Sequence, residues 1–330
     1  MFFKNRKRII ISMENNRLKK QKFLCICDDS YVTYFILFGA TADFQRSCPD
    51  EAALWIKPAA ECDQDNLPNL LNCQTYRRIL KNYAMKRLET IDGIIKANFQ
   101  DVVDSCDGVD IVFACDDKLK RNFRLDLYPQ YKANRLLVKR QYQIAPIKEY
   151  IHNVLYKELG LEENLGYKFV CVEGAEGDDV IATALTKLKD GYVGTCLIAS
   201  DHDFLQIDGV REFDLFGKEA KRTLGDEEVS PSDFLLGKIL MGDKSDNIKQ
   251  VFSKCGPKTA LKLTKDKDAL KKMLRENASA AQRFALNKKI ISFKETPAEL
   301  VSAIEKSLNE ALYSEEILNK KTDLKSFMDW

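Results

Sequence analysis

Phe23-Leu24-Cys25-Ile26-Cys27, followed at once by Asp28-Asp29-Ser30, sets the kind of fold to expect. A short apolar run ending in carboxylates reads as a buried strand that opens onto an acidic loop. The pattern returns at Asp110-Ile-Val-Phe-Ala-Cys115 before Asp116-Asp117, and at Thr195–Ala199 before Ser200-Asp201-His202-Asp203. Glu176-Gly177-Asp178-Asp179 comes three residues after the run Lys168–Val172, and a last cluster, Gly242-Asp243-Lys244-Ser245-Asp246-Asn247, lies further on. Between these runs the spacing predicts helices over 31–40, 76–99, 146–159 and 178–189, with one more strand over 212–215. Strands alternating with helices predict an α/β fold, a mostly parallel sheet covered on both faces. Carboxylates at the C-terminal ends of parallel strands converge on one crevice. Many like charges in one crevice repel one another unless hard cations sit between them.

Composition narrows the chemistry. The chain has 330 residues and an apolar fraction of 45%, enough for one large domain or two modest ones. The net charge of +2 excludes a uniformly basic nucleic-acid coat. Residues 1–22 are nevertheless basic, with Lys4, Arg6, Lys7, Arg8, Arg17, Lys19, Lys20 and Lys22 against Glu14. We expect a disordered leader there, with Met13 as a candidate natural start. No stretch is long and apolar enough to span a membrane. Ten cysteines occur without a Cys-x-x-Cys pair, several inside strand-like runs, which points to a reduced, intracellular protein of the cytoplasm. Two histidines, His152 and His202, argue against an ordinary zinc site and a histidine-based triad. Oxygen ligands alone suit magnesium, with manganese as a substitute. Two such ions about 4 Å apart can clamp the attacking water and the leaving oxygen of a phosphodiester.

Two other regions stand out. Residues 117–140 carry Lys118, Lys120, Arg121, Arg124, Lys132, Arg135, Lys139 and Arg140, interleaved with Phe123, Tyr128 and Tyr131. Residues 43–75, with Pro49, Pro58 and Pro68, are expected to be an irregular insertion. After Pro231 the chain becomes helix-prone and lysine-rich, with helices over 233–241 and from Pro257. The expected organisation is a leader over 1–22, a catalytic α/β domain over 23–230, a helical subdomain over 231–321 and a tail over 322–330.

Several of these stretches resemble the 5′ nucleases. Val172-Glu-Gly-Ala-Glu-Gly-Asp-Asp179, Ala199-Ser-Asp-His-Asp-Phe204 and Ile239-Leu-Met-Gly-Asp-Lys-Ser-Asp-Asn-Ile248 are similar to three signature blocks of that family, which includes flap endonucleases and phage 5′ exonucleases with RNase H activity. Asn122-Phe-Arg-Leu-Asp-Leu-Tyr-Pro-Gln-Tyr-Lys-Ala-Asn-Arg135 resembles its helical-arch segment. The resemblance implies a PIN-like 5′ nuclease fold with a helical arch and a C-terminal helix–turn–helix subdomain. It implies one metal group of Asp28, Asp116, Glu176 and Asp178 with Asp179 nearby, and a second of Asp201, Asp203, Asp243 and Asp246. Lys132 and Arg135 match arch residues that contact the scissile phosphate, and Tyr131 is expected to stack on a displaced base. Arg121, Arg124 and Lys139 are expected to bind nucleic acid.

The segment 247–260 resembles the family's helix–turn–helix grip on duplex backbone. Lys249, Lys254, Gly256, Lys258 and Thr259 would make it, since a helix N-terminus favours phosphate. Relatives have Pro-Gly after the Asn-Ile and a second glycine in the turn. This chain has Lys249-Gln250 and Ser253-Lys254-Cys255, which counts against the K+ ion that the turn often binds. Asp323-Leu-Lys-Ser-Phe-Met-Asp-Trp330 resembles phage peptides that bind a sliding clamp; a tail packed on its own domain is the competing reading.

The expected activity is cleavage of branched or nicked DNA and of RNA–DNA hybrids by a monomer, removing RNA primers and flaps during phage replication. Two competitors are a catalytically inactive binder of branched DNA and an aspartate-nucleophile phosphatase. The phosphatase needs a second Asp two residues after the nucleophile, where Ser30 stands.

Overall fold

A computed structural model describes residues 22–56, 68–119, 121–135 and 145–313. Five strands make its sheet: β1 (Phe23–Asp28), β2 (Val109–Cys115), β3 (Lys168–Cys171), β4 (Gly194–Ile198) and β5 (Glu212–Phe213). Their order is β3-β2-β1-β4-β5, and every pairing is parallel. The chain therefore winds outward from β1 through β2 to β3, then returns to the other side of β1 as β4. The strand order reverses between β1 and β4, and a parallel sheet opens a crevice beyond the strand ends at such a point.

Alternation along each strand sorts side chains between two layers. Phe23, Cys25, Cys27, Phe113, Cys196 and Ile198 pack on one face. That face meets α1 (Asp29–Ser47) and α3 (Gln74–Asp104), through Val32, Ile36, Tyr76 and Leu80. Leu24, Ile26, Val112, Ala114 and Leu197 fill the other face. There they meet α7 (Gly177–Lys187) and α12 (Ala298–Tyr313), through Val180, Ile181, Ile304 and Leu308. Truncating Ile26 to Ala would cost about 2–5 kcal/mol, since it is wholly buried between layers.

Several expected boundaries shift. The irregular region expected over 43–75 is largely helical where described: α1 runs on to Ser47, and Pro49 starts α2 (Pro49–Trp55) from its first turn. Proline there loses no needed donor. A single 3-10 turn covers Pro68–Asn72, and α3 starts at Gln74, extends to Asp104 and bends at Phe99. Lys22, assigned to the leader, is tied to the sheet: its carbonyl accepts from Val193 and its ammonium reaches Asp110 at 2.8 Å. The rest of the leader and the tail 322–330 lie outside the described residues.

Beyond β2 come α4 (Phe123–Leu127), then α5 (Ala145–Tyr150), which continues through a π-helical turn (Ile151–Leu155) into α6 (Tyr156–Glu158). A small antiparallel ribbon, β6 (Thr223–Leu224) with β7 (Glu227–Glu228), precedes the C-terminal helices. These are α8 (Pro231–Met241), α9 (Pro257–Lys265), α10 (Lys267–Glu276) and α11 (Ala278–Ile291). Ser230 caps α8 by accepting from Asp233 N at 3.1 Å. Gly242 ends α8 at φ +65°, where a Cβ would stand 2.5 Å from the Ile248 carbonyl, so only glycine fits. Leu224, Leu240, Val251, Ala260 and Leu263 form a separate apolar cluster among these helices.

Candidate active site

Asp28 closes β1, and its Oδ1 accepts from Tyr31 N at 3.1 Å, so the residue that caps α1 also faces the crevice. Asp116 and Asp201 continue the alternation of Val112 and Ala114 and of Leu197 and Ala199, on the same side of the sheet. Asp29 takes the opposite side, buried, with His152 Nε2 at 3.1 Å. Asp116 is held from two directions: Oδ1 accepts from Gly177 N at 2.9 Å and Oδ2 from the Ser30 hydroxyl at 3.2 Å. A Cβ on Gly177 would sit 3.0 Å from the Ala114 carbonyl and 3.4 Å from Asp116 Oδ1, so this close helix–strand approach depends on glycine. Asp117, beside it, is structural: it is buried and accepts from Leu119 N, Gly174 N and Arg121 Nε.

The carboxylates act on one another. Burial, then the charges of Asp116, Asp29 and Asp201, push Asp28 up to about 7. Burial raises Asp178 well above the carboxylate range, against Lys132, with Asp201, Glu176 and Asp28 adding to it. Burial and Asp201 lift Asp203 to about 6. Burial raises Asp246 despite Lys132 and Arg135. Asp243 goes the other way: burial works to raise it, but Ser245 and Lys238 together hold it low. Residues from β1, the β2 end, the start of α7, the β4 end and the loop after α8 thus share one electrostatic neighbourhood.

Basic side chains answer them. Lys132 Nζ lies 2.5 Å from Glu176 Oε1 and 4.0 Å from Asp246 Oδ2, and Arg135 pairs with Asp246. Lys238, on α8, bridges Asp203 at 2.7 Å and Asp243 at 3.1 Å. Lys238 was not singled out in the sequence, where it is the single lysine of a mostly apolar helix. Glu212 was also missed: it is buried, and burial with Asp201, Asp203 and Asp28 pushes it up to about 8. In Glu212-Phe-Asp-Leu215 acids and apolar residues alternate, and that pattern gave no signal of what Glu212 would face.

Three expected roles are corrected by burial. Arg124, expected on nucleic acid, is 2% exposed and grips Asp179 at 2.7 and 2.9 Å, with its Nε on the Ile290 carbonyl. Asp179, expected near the metal group, is spent on Arg124 and on accepting from Glu176 N at 3.1 Å. Tyr131, expected to stack on a base, is buried against Ile239, Ile248, Ile290 and Ile291 and donates to Glu176 Oε2 at 3.0 Å. Arg121 is half-exposed and paired with Asp117 and Glu173. The described part of the arch segment is the short helix α4 with turns as far as Arg135; Lys120 and Lys139 lie outside the described residues. Lys249, Lys254, Lys258 and Thr259 are exposed around the N-terminus of α9, with Gly256 as its cap residue. Lys254 holds φ +58°, so the turn keeps a left-handed residue although it is not glycine.

The donor set suits a hard divalent cation. The acids are oxygen donors, and Glu212 Oε2 is buried with no hydrogen-bond partner among the described residues. Among the described residues no three Asp, Glu, His or Cys side chains stand close enough to ligate one ion directly as placed. Magnesium keeps several of its waters and needs only one or two carboxylates, so the arrangement fits it.

Residues 75–231 match the profile of the 5′-3′ exonuclease N-terminal, resolvase-like domain. The 5′-3′ exonuclease of Buchnera aphidicola is 30% identical over 184 residues, 54% of this chain and 58% of that protein. The 5′-3′ exonuclease of Bacillus subtilis is 33% identical over 181 residues, 51% and 56% of the two chains. The thermostable DNA polymerase I of Thermus thermophilus is 34% identical over 176 residues, 51% of this chain and 20% of that one. The matched region thus spans little more than half of the two exonucleases. Among solved structures, a bacteriophage T5 flap endonuclease complex with DNA and metal ions shares the fold at TM-score 0.55 and 17% identity, covering 88% of this chain and all of that one. T5 5′-exonuclease with bound zinc matches at TM-score 0.51 and 17% identity, over 90% and 96% of the chains.

Proposed function

The chain belongs to the 5′ nuclease family, and from that premise we propose that it is a divalent-metal-dependent 5′-3′ exonuclease and flap endonuclease. Its substrates would be branched or nicked DNA and RNA–DNA hybrids, and its task the removal of RNA primers and flaps during phage DNA replication. The gathering of Asp28, Asp116, Glu176, Asp178, Asp201 and Asp203 at one end of a parallel sheet, with Lys132 and Arg135 reaching into the same crevice, carries this reading.

Asp28, Asp116, Glu176 and Asp178 would hold one ion; Asp201, Asp203, Asp243 and Asp246 would hold a second. Two Mg2+ ions, or Mn2+ in their place, would supply activation of the attacking water and charge stabilisation at the leaving 3′ oxygen. The other parts belong to the chain itself. Ser30 and Gly177 N fix the Asp116 carboxylate, so its oxygens need little reorganisation. Lys132 and Arg135 would move from Glu176 and Asp246 to the scissile phosphate, where they neutralise developing charge. Residues 231–313 would act as the duplex-binding subdomain, with Lys249, Lys254 and Lys258 along the phosphates and the α9 N-terminus, at Gly256 and Thr259, on one of them.

The test is digestion of a 5′-labelled flap beside a 5′-labelled RNA–DNA hybrid, with and without Mg2+. We expect short 5′-labelled products only with the ion, and none from Asp201→Asn, which should still bind the flap. Normal turnover by that variant would refute the assignment of the acidic crevice.

A further inference from the structure

The loop after α8 is stitched to the segment that carries Lys132. Asp243 and Ile248 close this loop by exchanging two backbone hydrogen bonds, of 3.0 and 2.6 Å. All four residues between them bond across to residues 128–135. The Lys244 carbonyl accepts from Asn134 Nδ2 at 2.9 Å, the Ser245 carbonyl from Arg135 Nε at 3.4 Å and the Asp246 carbonyl from Lys132 N at 3.0 Å. Asn247 bonds in both directions: its carbonyl accepts from the Tyr128 hydroxyl at 3.2 Å, and its Nδ2 donates to the Gln130 carbonyl at 2.8 Å. Ile248, next in the chain, is buried with Tyr131, Ile239, Ile290 and Ile291, so apolar contact backs the seam.

The backbone is special on both sides of the seam. Lys132 has φ +54° and Asn247 has φ +60°; among the described residues only Lys254 is another non-glycine at positive φ. Such backbone persists where its surroundings over-determine it. Most of the cross-bonds are open to solvent and weak singly, but together they fix where the Lys132 side chain departs toward Glu176. Lys249 and the turn to Lys254 follow the loop directly. The turn read above as the duplex grip and the backbone of Lys132 are therefore joined through residues 244–247.

We propose that Asn247 is a positioning residue: it holds the 128–135 backbone on the loop after α8, so that a duplex seated on the neighbouring turn brings the Lys132 ammonium to the reacting phosphate. This rests on the nuclease reading above and deepens it. Asparagine suits the place because it tolerates left-handed backbone and its amide supplies a donor that glycine lacks.

The test compares the full chain with Asn247→Gly, which keeps the left-handed backbone and removes the bond to Gln130. Hydrogen exchange without nucleic acid, read by mass spectrometry on peptides covering 128–135, should be about tenfold faster in the variant, with β1 to β4 unchanged. Single-turnover cleavage of a 5′ flap should slow by about tenfold or more, while flap affinity by fluorescence anisotropy changes by less than about threefold. In a Lys132→Ala background the same substitution should slow cleavage by less than about threefold, because a residue that acts through Lys132 then has nothing left to position. Unchanged exchange over 128–135, an unchanged rate, a rate lost only in proportion to affinity, or the full loss persisting in Lys132→Ala would each overturn the proposal. If Asn247→Gly does not fold, Tyr128→Phe combined with Asn134→Ala removes two bonds from the other side of the seam, and unchanged exchange and rate there overturn it equally. Absence of cleavage by the unaltered chain would instead be a failure of the nuclease reading, and the exchange measurement would then decide the seam by itself.

Discussion

Lys132 shows what a single residue reveals and hides. The sequence marks it as basic and beside Tyr131; the structure places its ammonium 4.9 Å from that ring's centre and 2.5 Å from Glu176. Its φ of +54° is unusual for a side chain with a Cβ, and its N–H is held by the Asp246 carbonyl at 3.0 Å. We expect Lys132→Ala to slow single-turnover cleavage by about 10²-fold or more, with flap affinity, measured by fluorescence anisotropy, falling much less. A loss confined to affinity would reduce Lys132 to a phosphate anchor. Arg124 is the opposite case, a basic residue that the fold consumes. Arg124→Met would leave Asp179 buried without its bidentate partner, costing about 3–5 kcal/mol in chemical denaturation. A cost below about 1 kcal/mol would show that the pair contributes little to stability. Nothing in residue type separates these two basic residues; only their burial and partners do.

At the scale of elements, the strands were legible and the helix lengths were not. A run such as Phe23–Cys27 is apolar throughout because both its faces are covered, and that survives in the sequence. The extension of α1 to Ser47 and the start of α2 at Pro49 were hidden by polar residues and prolines that read as loop. Gly177 carries an expectation of its own. It opens α7 against β2 with no positive φ, so alanine suits the backbone there, yet a Cβ would press on the Ala114 carbonyl and Asp116. Gly177→Ala should therefore lower cleavage at least tenfold while costing no more than about 1–3 kcal/mol in stability. Unaltered cleavage would show that Asp116 tolerates displacement.

The whole molecule responds to pH through its crowded acids. Asp28 has an ordinary value of 3.8 and is raised to about 7; Glu212 goes from 4.5 to about 8. Folded protein therefore holds more protons than unfolded protein between these limits, and stability falls as pH rises through them. Without divalent ions, Tm should drop between pH 5 and pH 8. Adding Mg2+ or Mn2+ at pH 8 should restore it, because an ion that binds only the folded state stabilises it. A Tm that is flat or rising across that range in chelator would contradict the crowding of these groups.

The amino-acid order alone determined the parallel α/β plan, the oxygen-donor chemistry and the basic segment, because apolar runs, acidic clusters and charge spacing are local properties of the chain. Tertiary structure alone decided which charges remain available. Arg124 and Asp179 neutralise each other, Tyr131 turns into an isoleucine cluster, and Lys238 and Glu212 join the crevice from α8 and β5. Desolvation and pairing depend on what stands across the gap, and no residue's own neighbours in sequence specify that.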